Sequence, residues 1–331
     1  MNTRASERPF STFDSFDAFS GVTRTLLERG VARVGRRCDE FIRLGGAVLS
    51  RSAFLIGVTG ATGEVGSRLA RRLADRRQVQ RLIVRDASGV ESMPGAEVVE
   101  FGGYGDDEGT RRAFLGVSTL FFCSAKESED RVSQHRSVVD AAVAAGVERI
   151  VYLSIISAAP AATFTFARDH YATEQYIRSV GLPFTFSRQS FYLDVLPYLS
   201  GEDGVIRGPA GDGRVAPVLR DDVADALVTM LTEPGHEGAI YELTGPEAVT
   251  MTQVADLLTR LKGRPVSFEN ETLEEAYASR QAFGAPAWEM DGWISTCTAF
   301  AAGEFDVVTD HVMRLTGHQP VSIEQFVESS Q

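Results

Sequence analysis

Phe54-Leu-Ile-Gly-Val-Thr-Gly-Ala-Thr-Gly-Glu-Val-Gly66 is an apolar strand running into glycines at 60, 63 and 66 and then into a helix. Each glycine answers a separate steric demand of a dinucleotide-binding turn. Gly60 permits the tight turn, Gly63 lets backbone amides approach a pyrophosphate, and Gly66 lets the helix pack closely on the strand. Phosphates in such a turn sit at the helix N-terminus, where unpaired N–H groups and the helix dipole favour an anion. The helix is legible from its stripe: Val65, Leu69 and Leu73 fall on one face, while Glu64, Arg68 and Arg71 fall on the other.

The next strand ends in Leu82-Ile-Val-Arg85-Asp86, where a dinucleotide unit places the residue that meets the adenosine ribose. A guanidinium at this tip can pair with a 2′-phosphate in a two-pronged contact, which favours NADP(H) over NAD(H). Asp86 keeps NAD(H) as the less favoured choice, and a solvated strand-end charge is the plain alternative for Arg85.

Composition narrows the class. With 331 residues, 44% hydrophobic and 24% charged, the chain can bury a large core. A net charge of −12 disfavours nucleic acid and anionic membrane as partners. Cys38, Cys123 and Cys297 are odd in number and far apart, so neither a disulfide framework nor a metal site is expected, and a reducing cytoplasm fits best. No apolar run is long enough to span a bilayer. Residues 1–52 mix Ser, Asp, Phe and Arg and are expected to form a flexible or loosely helical extension.

From Ala53 the pattern alternates strand and helix, which predicts a Rossmann-type α/β fold: a doubly wound parallel sheet over residues 53–188. Strands are expected at Arg81–Val84, Glu97–Phe101, Thr119–Cys123, Arg149–Leu153 and Phe184–Ser187, with helices at Arg131–Ala145 and about Ala167–Val180. Beyond Arg188 the alternation loosens into Gly- and Pro-rich pieces and helices near Asp222–Leu231, Thr252–Leu261 and Pro286–Ala302. Residues 189–331 therefore read as a smaller C-terminal substrate lobe, interleaved with the Rossmann core above the carboxyl edge of the sheet.

Carbonyl reduction on this fold is commonly served by a tyrosine and a lysine one helical turn apart. This chain cannot supply that pair: its two lysines, Lys126 and Lys262, follow Phe122 and Leu258 at that spacing. The corresponding helix instead aligns Phe166, His170 and Glu174 on one face. His170 is the candidate proton donor, with Glu174 one turn away to orient it and favour its charged form. Simple pairing of the two on a packing surface is the alternative. Ser154, after the fifth strand, is a further candidate hydroxyl. His135 shares its face with Val138, Val139 and Ala142, a core-facing spacing, and reads as a packed or cofactor-side histidine. Trp288, Trp293 and Phe300 read as core of the second lobe.

Several segments together resemble the NmrA-like branch of atypical short-chain dehydrogenases, and within it the type 2 quinone oxidoreductases and triphenylmethane reductases. They are Thr59-Gly-Ala-Thr-Gly-Glu-Val-Gly66, Gln134-His-Arg-Ser-Val-Val-Asp-Ala-Ala142, Ala145-Gly-Val-Glu-Arg-Ile-Val-Tyr-Leu-Ser154 and His170-Tyr-Ala-Thr-Glu174. Gly181-Leu-Pro-Phe-Thr-Phe-Ser-Arg188, Gly208-Pro-Ala-Gly-Asp-Gly213, Asp222-Val-Ala224 and Tyr241-Glu-Leu-Thr-Gly245 follow in family order.

The resemblance implies that Gly60, Thr62, Gly63, Glu64, Val65 and Gly66 form the pyrophosphate turn, that Arg85 meets the 2′-phosphate, and that Ser124 and Ala125 run along the cofactor. It implies a substrate-side loop at Gln189-Ser-Phe-Tyr192, where Phe191 and Tyr192 can stack on a flat ring; a helix cap followed by packing aromatics is the alternative. Phe166 and Glu174, from the helix stripe, are further substrate-side candidates. Tyr192, like Tyr171, is a candidate acid. An aspartate common after the third strand appears here as Gly103. The implied activity is hydride transfer from NADPH to a quinone-like small aromatic substrate, as in natural-product tailoring. A catalytically silent NADP-binding regulator and an atypical ketoreductase or epimerase remain alternatives, and a homodimer is compatible with either.

Overall fold

The computed structural model describes residues 54–329. The expectations for residues 1–52, and Cys38 with them, lie outside the described residues. In chain order the elements begin with β1 (Ile56–Thr59), α1 (Glu64–Asp75), β2 (Gln80–Val84), β3 (Ala96–Glu100), α2 (Asp107–Phe114) and β4 (Thr119–Phe122). They continue with α3 (Arg131–Ala145), β5 (Arg149–Ile155), α4 (Thr165–Ser179), β6 (Phe184–Gln189), β7 (Val205–Gly208), β8 (Arg214–Val215) and α5 (Arg220–Thr232). The chain then forms β9 (Ile240–Leu243), β10 (Val249–Thr250), α6 (Met251–Lys262), β11 (Ser267–Asn270), α7 (Leu273–Arg280), α8 (Ala287–Ala301), α9 (His311–Thr316) and α10 (Ile323–Ser329).

Seven parallel strands form the central sheet in the order β3-β2-β1-β4-β5-β6-β9. Both faces are covered, which is why β4 can read Thr-Leu-Phe-Phe with every residue buried. Alternation sends Phe121 to the face packed by α1 and α5, and Leu120 and Phe122 to the face packed by α2, α3 and α4. Gly146, at φ +79°, ends α3 in the left-handed conformation that glycine tolerates best.

Chain direction across the sheet reverses between β1 and β4, because β2 and β3 extend to one side of β1 and β4, β5 and β6 to the other. Ligands of open α/β sheets bind in the crevice outside such a switch point. Its walls are the β1–α1 turn and the β4–α3 loop.

The second lobe closes over a cluster in which Phe191, Trp293, Phe300 and Phe305 are buried, with Trp288 packed at its margin. Two small sheets, β7 with β11 and β8 with β10, frame it. The division at residue 188 follows chain order more than space: α5 packs on α1, and β9 completes the central sheet. β9 is an edge strand whose backbone is covered from outside, as the Glu242 N–H donates to His311 Nδ1 at 3.0 Å.

Candidate cofactor crevice

The glycine turn is built as the sequence requires. Gly60 takes φ +63°, and a Cβ there would lie 2.8 Å from the Cβ of Cys123, the residue after β4. A Cβ on Gly66 would lie 2.1 Å from the carbonyl oxygen of Gly60, so only glycine lets α1 sit this close to β1. No side chain caps the α1 N-terminus at Gly63, while Thr62 and Glu64 are exposed on its outer side. Val65 is buried and anchors the helix to the core. These residues form a backbone cradle that a dinucleotide pyrophosphate fits.

At the tip of β2 the two candidate residues separate. Arg85 is exposed and lines an open cleft of about 410 Å3 together with Glu100, Phe101, Gly102 and Arg112. Asp86 turns aside: its Oδ1 accepts the Ser88 N–H at 2.8 Å, and this bond holds its carboxyl below the usual carboxylate range. The Arg85 side chain passes Gly103, 3.7 Å from where a Cβ would stand. Gly103 itself adopts φ +102°, a conformation that strains any side-chain-bearing residue, aspartate included.

Opposite the glycine turn, the β4–α3 loop is held from behind. The Thr59 hydroxyl donates to Phe121 O at 3.1 Å and accepts the Cys123 N–H at 3.0 Å, tying β4 to β1. Tyr104 adds a hydroxyl bond to Cys123 O at 2.6 Å. The half-buried Ala125 then gives its N–H to His135 Nε2 (2.8 Å) and takes the Arg131 Nε–H on its carbonyl (3.0 Å).

Behind this loop lies a polar network closed to solvent. His135 Nε2 is an acceptor, so its proton sits on Nδ1 and goes to Thr173 Oγ1 at 2.7 Å; that hydroxyl donates in turn to Asp169 O at 2.8 Å. His170 Nε2 lies 3.0 Å from Arg131 Nη2, and a guanidinium can only donate. The His170 proton therefore sits on Nδ1, 2.9 Å from the Tyr152 hydroxyl. Burial pushes both histidines well below their ordinary value, with the Arg131 charge adding to the effect. Burial also raises the Tyr152 phenol.

The resemblance noted in the sequence extends through this whole frame, since residues 53–295 match the NmrA-like family. The chain belongs to the NmrA-like family. It is 31% identical over 281 residues to quinone oxidoreductase 2 of Escherichia coli, covering 82% of this chain and 97% of that protein. It is 36% identical over 267 residues to the (4-alkanoyl-5-oxo-2,5-dihydrofuran-3-yl)methyl phosphate reductase of Streptomyces griseus, covering 80% and 93%. The solved Escherichia coli quinone oxidoreductase with NADPH matches at TM-score 0.76 and 31% identity, over 83% of this chain and 99% of the other. Citrobacter triphenylmethane reductase with NADP(H) matches at TM-score 0.74 and 31% identity, over 84% and 100%.

In this NmrA-like chain the substrate-side residues are placed differently from the sequence expectation. Glu174 does not orient His170. Its carboxylate is fully buried and takes two bonds from Arg188 (Nε 2.8 Å, Nη2 2.6 Å) and one from Ser154 Oγ (2.7 Å). The cause is register: β5 runs on to Ile155, so Ser154 lies inside the strand and shares a sheet face with the facing residue Arg188 of β6. His170, with both nitrogens committed and its charged form disfavoured, is placed as a neutral packing group.

Phe166 wedges into α8, its Cζ 2.1 Å from where a Cβ on Gly292 would stand, and meets Phe164 and Trp288 edge-on. Phe191 is buried edge-on to Phe300 at 5.6 Å. The Tyr192 ring is buried beneath the Arg220 guanidinium, 4.4 Å from its centroid. Sequence reasoning missed Tyr104, Arg131, Tyr152, Thr173 and Arg188, which hold the frame. A threonine in a helix, or an arginine in a helix or strand, carries no periodic signal of that duty. Among the described residues no group of three or more His, Cys, Asp or Glu side chains is placed to hold a metal. None of the described helices is long and apolar enough to cross a membrane.

Proposed function

We propose that this chain is an NADPH-dependent oxidoreductase whose substrate is a quinone or a related electron-poor conjugated ring. The observation that carries the reading is the division of labour at the β2 tip: Arg85 is free to meet a 2′-phosphate, while the Asp86 carboxylate is spent on Ser88 N–H. Family membership and the names of its relatives support it. Those names specify a quinone, an acyl dihydrofuranone phosphate and triphenylmethane dyes, all of which are conjugated acceptors.

NADPH, when bound, supplies the hydride. The chain's own part is placement: Gly60, Gly63 and Gly66 open the cradle, the α1 N-terminus faces the pyrophosphate, Arg85 takes the 2′-phosphate, and Ser124 and Ala125 form the opposite wall. Positioning of this kind can supply a large share of a rate acceleration by itself. A quinone accepts hydride without a strong acid, because its ring stabilises the resulting phenolate. His170, enclosed by Arg131 and Tyr152, leaves the later protonation to water.

The test is to mix purified protein with NADPH and a panel of quinones and follow nicotinamide absorbance. Saturable loss of the signal is expected with at least one quinone. NADPH binding without turnover across the panel would refute the enzyme reading and favour a silent nucleotide-binding regulator.

A further inference from the structure

His135 is a buried titratable group that the proposed hydride transfer does not use, yet it touches the β4–α3 loop, which faces the glycine turn. Sequence spacing alone marks it as a core residue, and the structure gives it a second task. The Ala125 peptide is gripped at both ends, its N–H by His135 Nε2 at 2.8 Å and its carbonyl by Arg131 Nε at 3.0 Å. Both grips come from the first two turns of α3. His135 cannot swing away, because its Nδ1 is tied to Thr173 Oγ1 at 2.7 Å and that hydroxyl to Asp169 O of α4. Its ring is wedged edge-on against Phe122 and Tyr152, with centroids at 5.0 and 5.8 Å. Arg131 is fixed in the same way, its Nη2 on His170 Nε2.

The position matters because the crevice at the switch point has two walls. One wall, the glycine turn, is closely packed: Gly60 lies against Cys123 and Gly66 against the Gly60 carbonyl, with no room for a Cβ at either. The other wall, from Cys123 to Asp130, has no regular structure of its own; Thr59 and Tyr104 hold it at Cys123, and His135 and Arg131 hold it at Ala125.

We propose that His135 and Arg131 are positioning residues for the cofactor: they set the distance between the β4–α3 loop and the glycine turn, and NADP(H) affinity depends on a hydrogen-bond acceptor at His135 Nε2. The inference rests on the reading that this crevice takes NADP(H). A purely packing role for His135 requires only its volume, whereas a positioning role requires the acceptor. The two are separable by substitution.

The experiment is a fluorescence titration of NADPH into the full purified chain, the His135→Gln variant and the His135→Leu variant, with far-ultraviolet circular dichroism to confirm folding. Gln retains an acceptor near Nε2; Leu retains only apolar bulk. The expected result is NADPH affinity lowered about tenfold or more in His135→Leu, where the Ala125 N–H loses its partner, and within about threefold of the parent in His135→Gln. Equal losses in both variants, or no loss in His135→Leu, would overturn the proposal. Should His135→Leu fail to fold, Thr173→Val removes the anchor of the ring with little change of shape. It is expected to weaken NADPH binding severalfold, and unchanged affinity would overturn the proposal equally. Failure of the parent to bind NADPH would instead remove the functional reading beneath it.

Discussion

The two neutral histidines behind the crevice should make this fold acid-labile well above the range in which carboxylates titrate. His135 and His170 are both buried and both held below their ordinary value, by burial first and by the Arg131 charge second. In the unfolded chain each returns to about 6.5. Below that pH the unfolded state takes up protons that the folded state refuses, so stability is fully present above about 6.5 and falls as pH falls. For as long as both rings stay neutral in the fold, lowering the pH from 7.5 to 5.0 costs about 2 kcal/mol for each, or about 4 kcal/mol together. A total stability of roughly 5–15 kcal/mol is ordinary, so this loss is a large part of it. Asp169 and Asp222, which burial raises, act in the opposite direction, and the partly exposed His236 acts in the same one.

Comparison with a variant cancels those other groups. Urea unfolding followed by circular dichroism at pH 7.5, 6.5, 5.5 and 5.0 gives the slope for the parent and for His170→Gln. The variant is expected to be less stable at pH 7.5, since the Arg131 and Tyr152 partners are disturbed, but to lose about 2 kcal/mol less than the parent on going to pH 5.0. The readout is the slope, which simple loss of packing does not change. Parallel slopes for parent and variant would show that His170 protonates as readily in the fold as out of it, and the account of the buried network would be wrong.

Two further outcomes follow from single contacts. Arg85→Ala should weaken NADPH binding by about 10- to 100-fold while leaving NADH within about threefold, because only the 2′-phosphate contact is lost; equal losses for both nucleotides, measured by titration, would remove its phosphate role. Gly292→Ala should destabilise the chain by about 1–3 kcal/mol, since its Cβ would overlap the hemmed-in Phe166 ring, and Phe166→Leu in the same chain should restore part of that loss; an unchanged urea midpoint in Gly292→Ala would contradict the close seating of α8 on α4.

The parts of this fold that were legible in the sequence are those with a strong local cause. The glycine turn, the α1 stripe and the Arg131–Ala145 helix with its Gly146 stop follow from sterics and periodicity, and the observed elements match them within a residue or two. α2 escaped notice because Asp107–Phe114 is short and mostly polar, and its start signal, Asp106 accepting the Gly109 N–H, is a single contact. The four short strands of the second lobe, two of them only two residues long, carry too little alternation to be read. Asn270-Glu-Thr272 has the sequence form of a glycosylation triplet. In the structure Asn270 accepts the Gly211 N–H and Thr272 caps α7, so both polar residues have local work.

The stripe of Phe166, His170 and Glu174 teaches a different lesson. Helical spacing correctly put the three on one buried face, but it cannot say what lies opposite. The residues opposite are Gly292, Arg131 with Tyr152, and Arg188 with Ser154, from four separate elements (α8, α3, β5 and β6). Each partner turns a candidate chemical group into a structural one: a ring into a wedge, an imidazole into a link, a carboxylate into one half of a buried ion pair. The consequence bears on the substrate. With the tyrosine–lysine pair absent and His170 and Glu174 committed inward, the crevice is poorly equipped to protonate an oxygen or nitrogen as hydride arrives. Simple ketones and alcohols need that assistance, whereas quinones and similar conjugated acceptors spread the incoming charge over their own rings. The commitment of these groups thus supports the substrate class proposed above by a route separate from the names of the relatives.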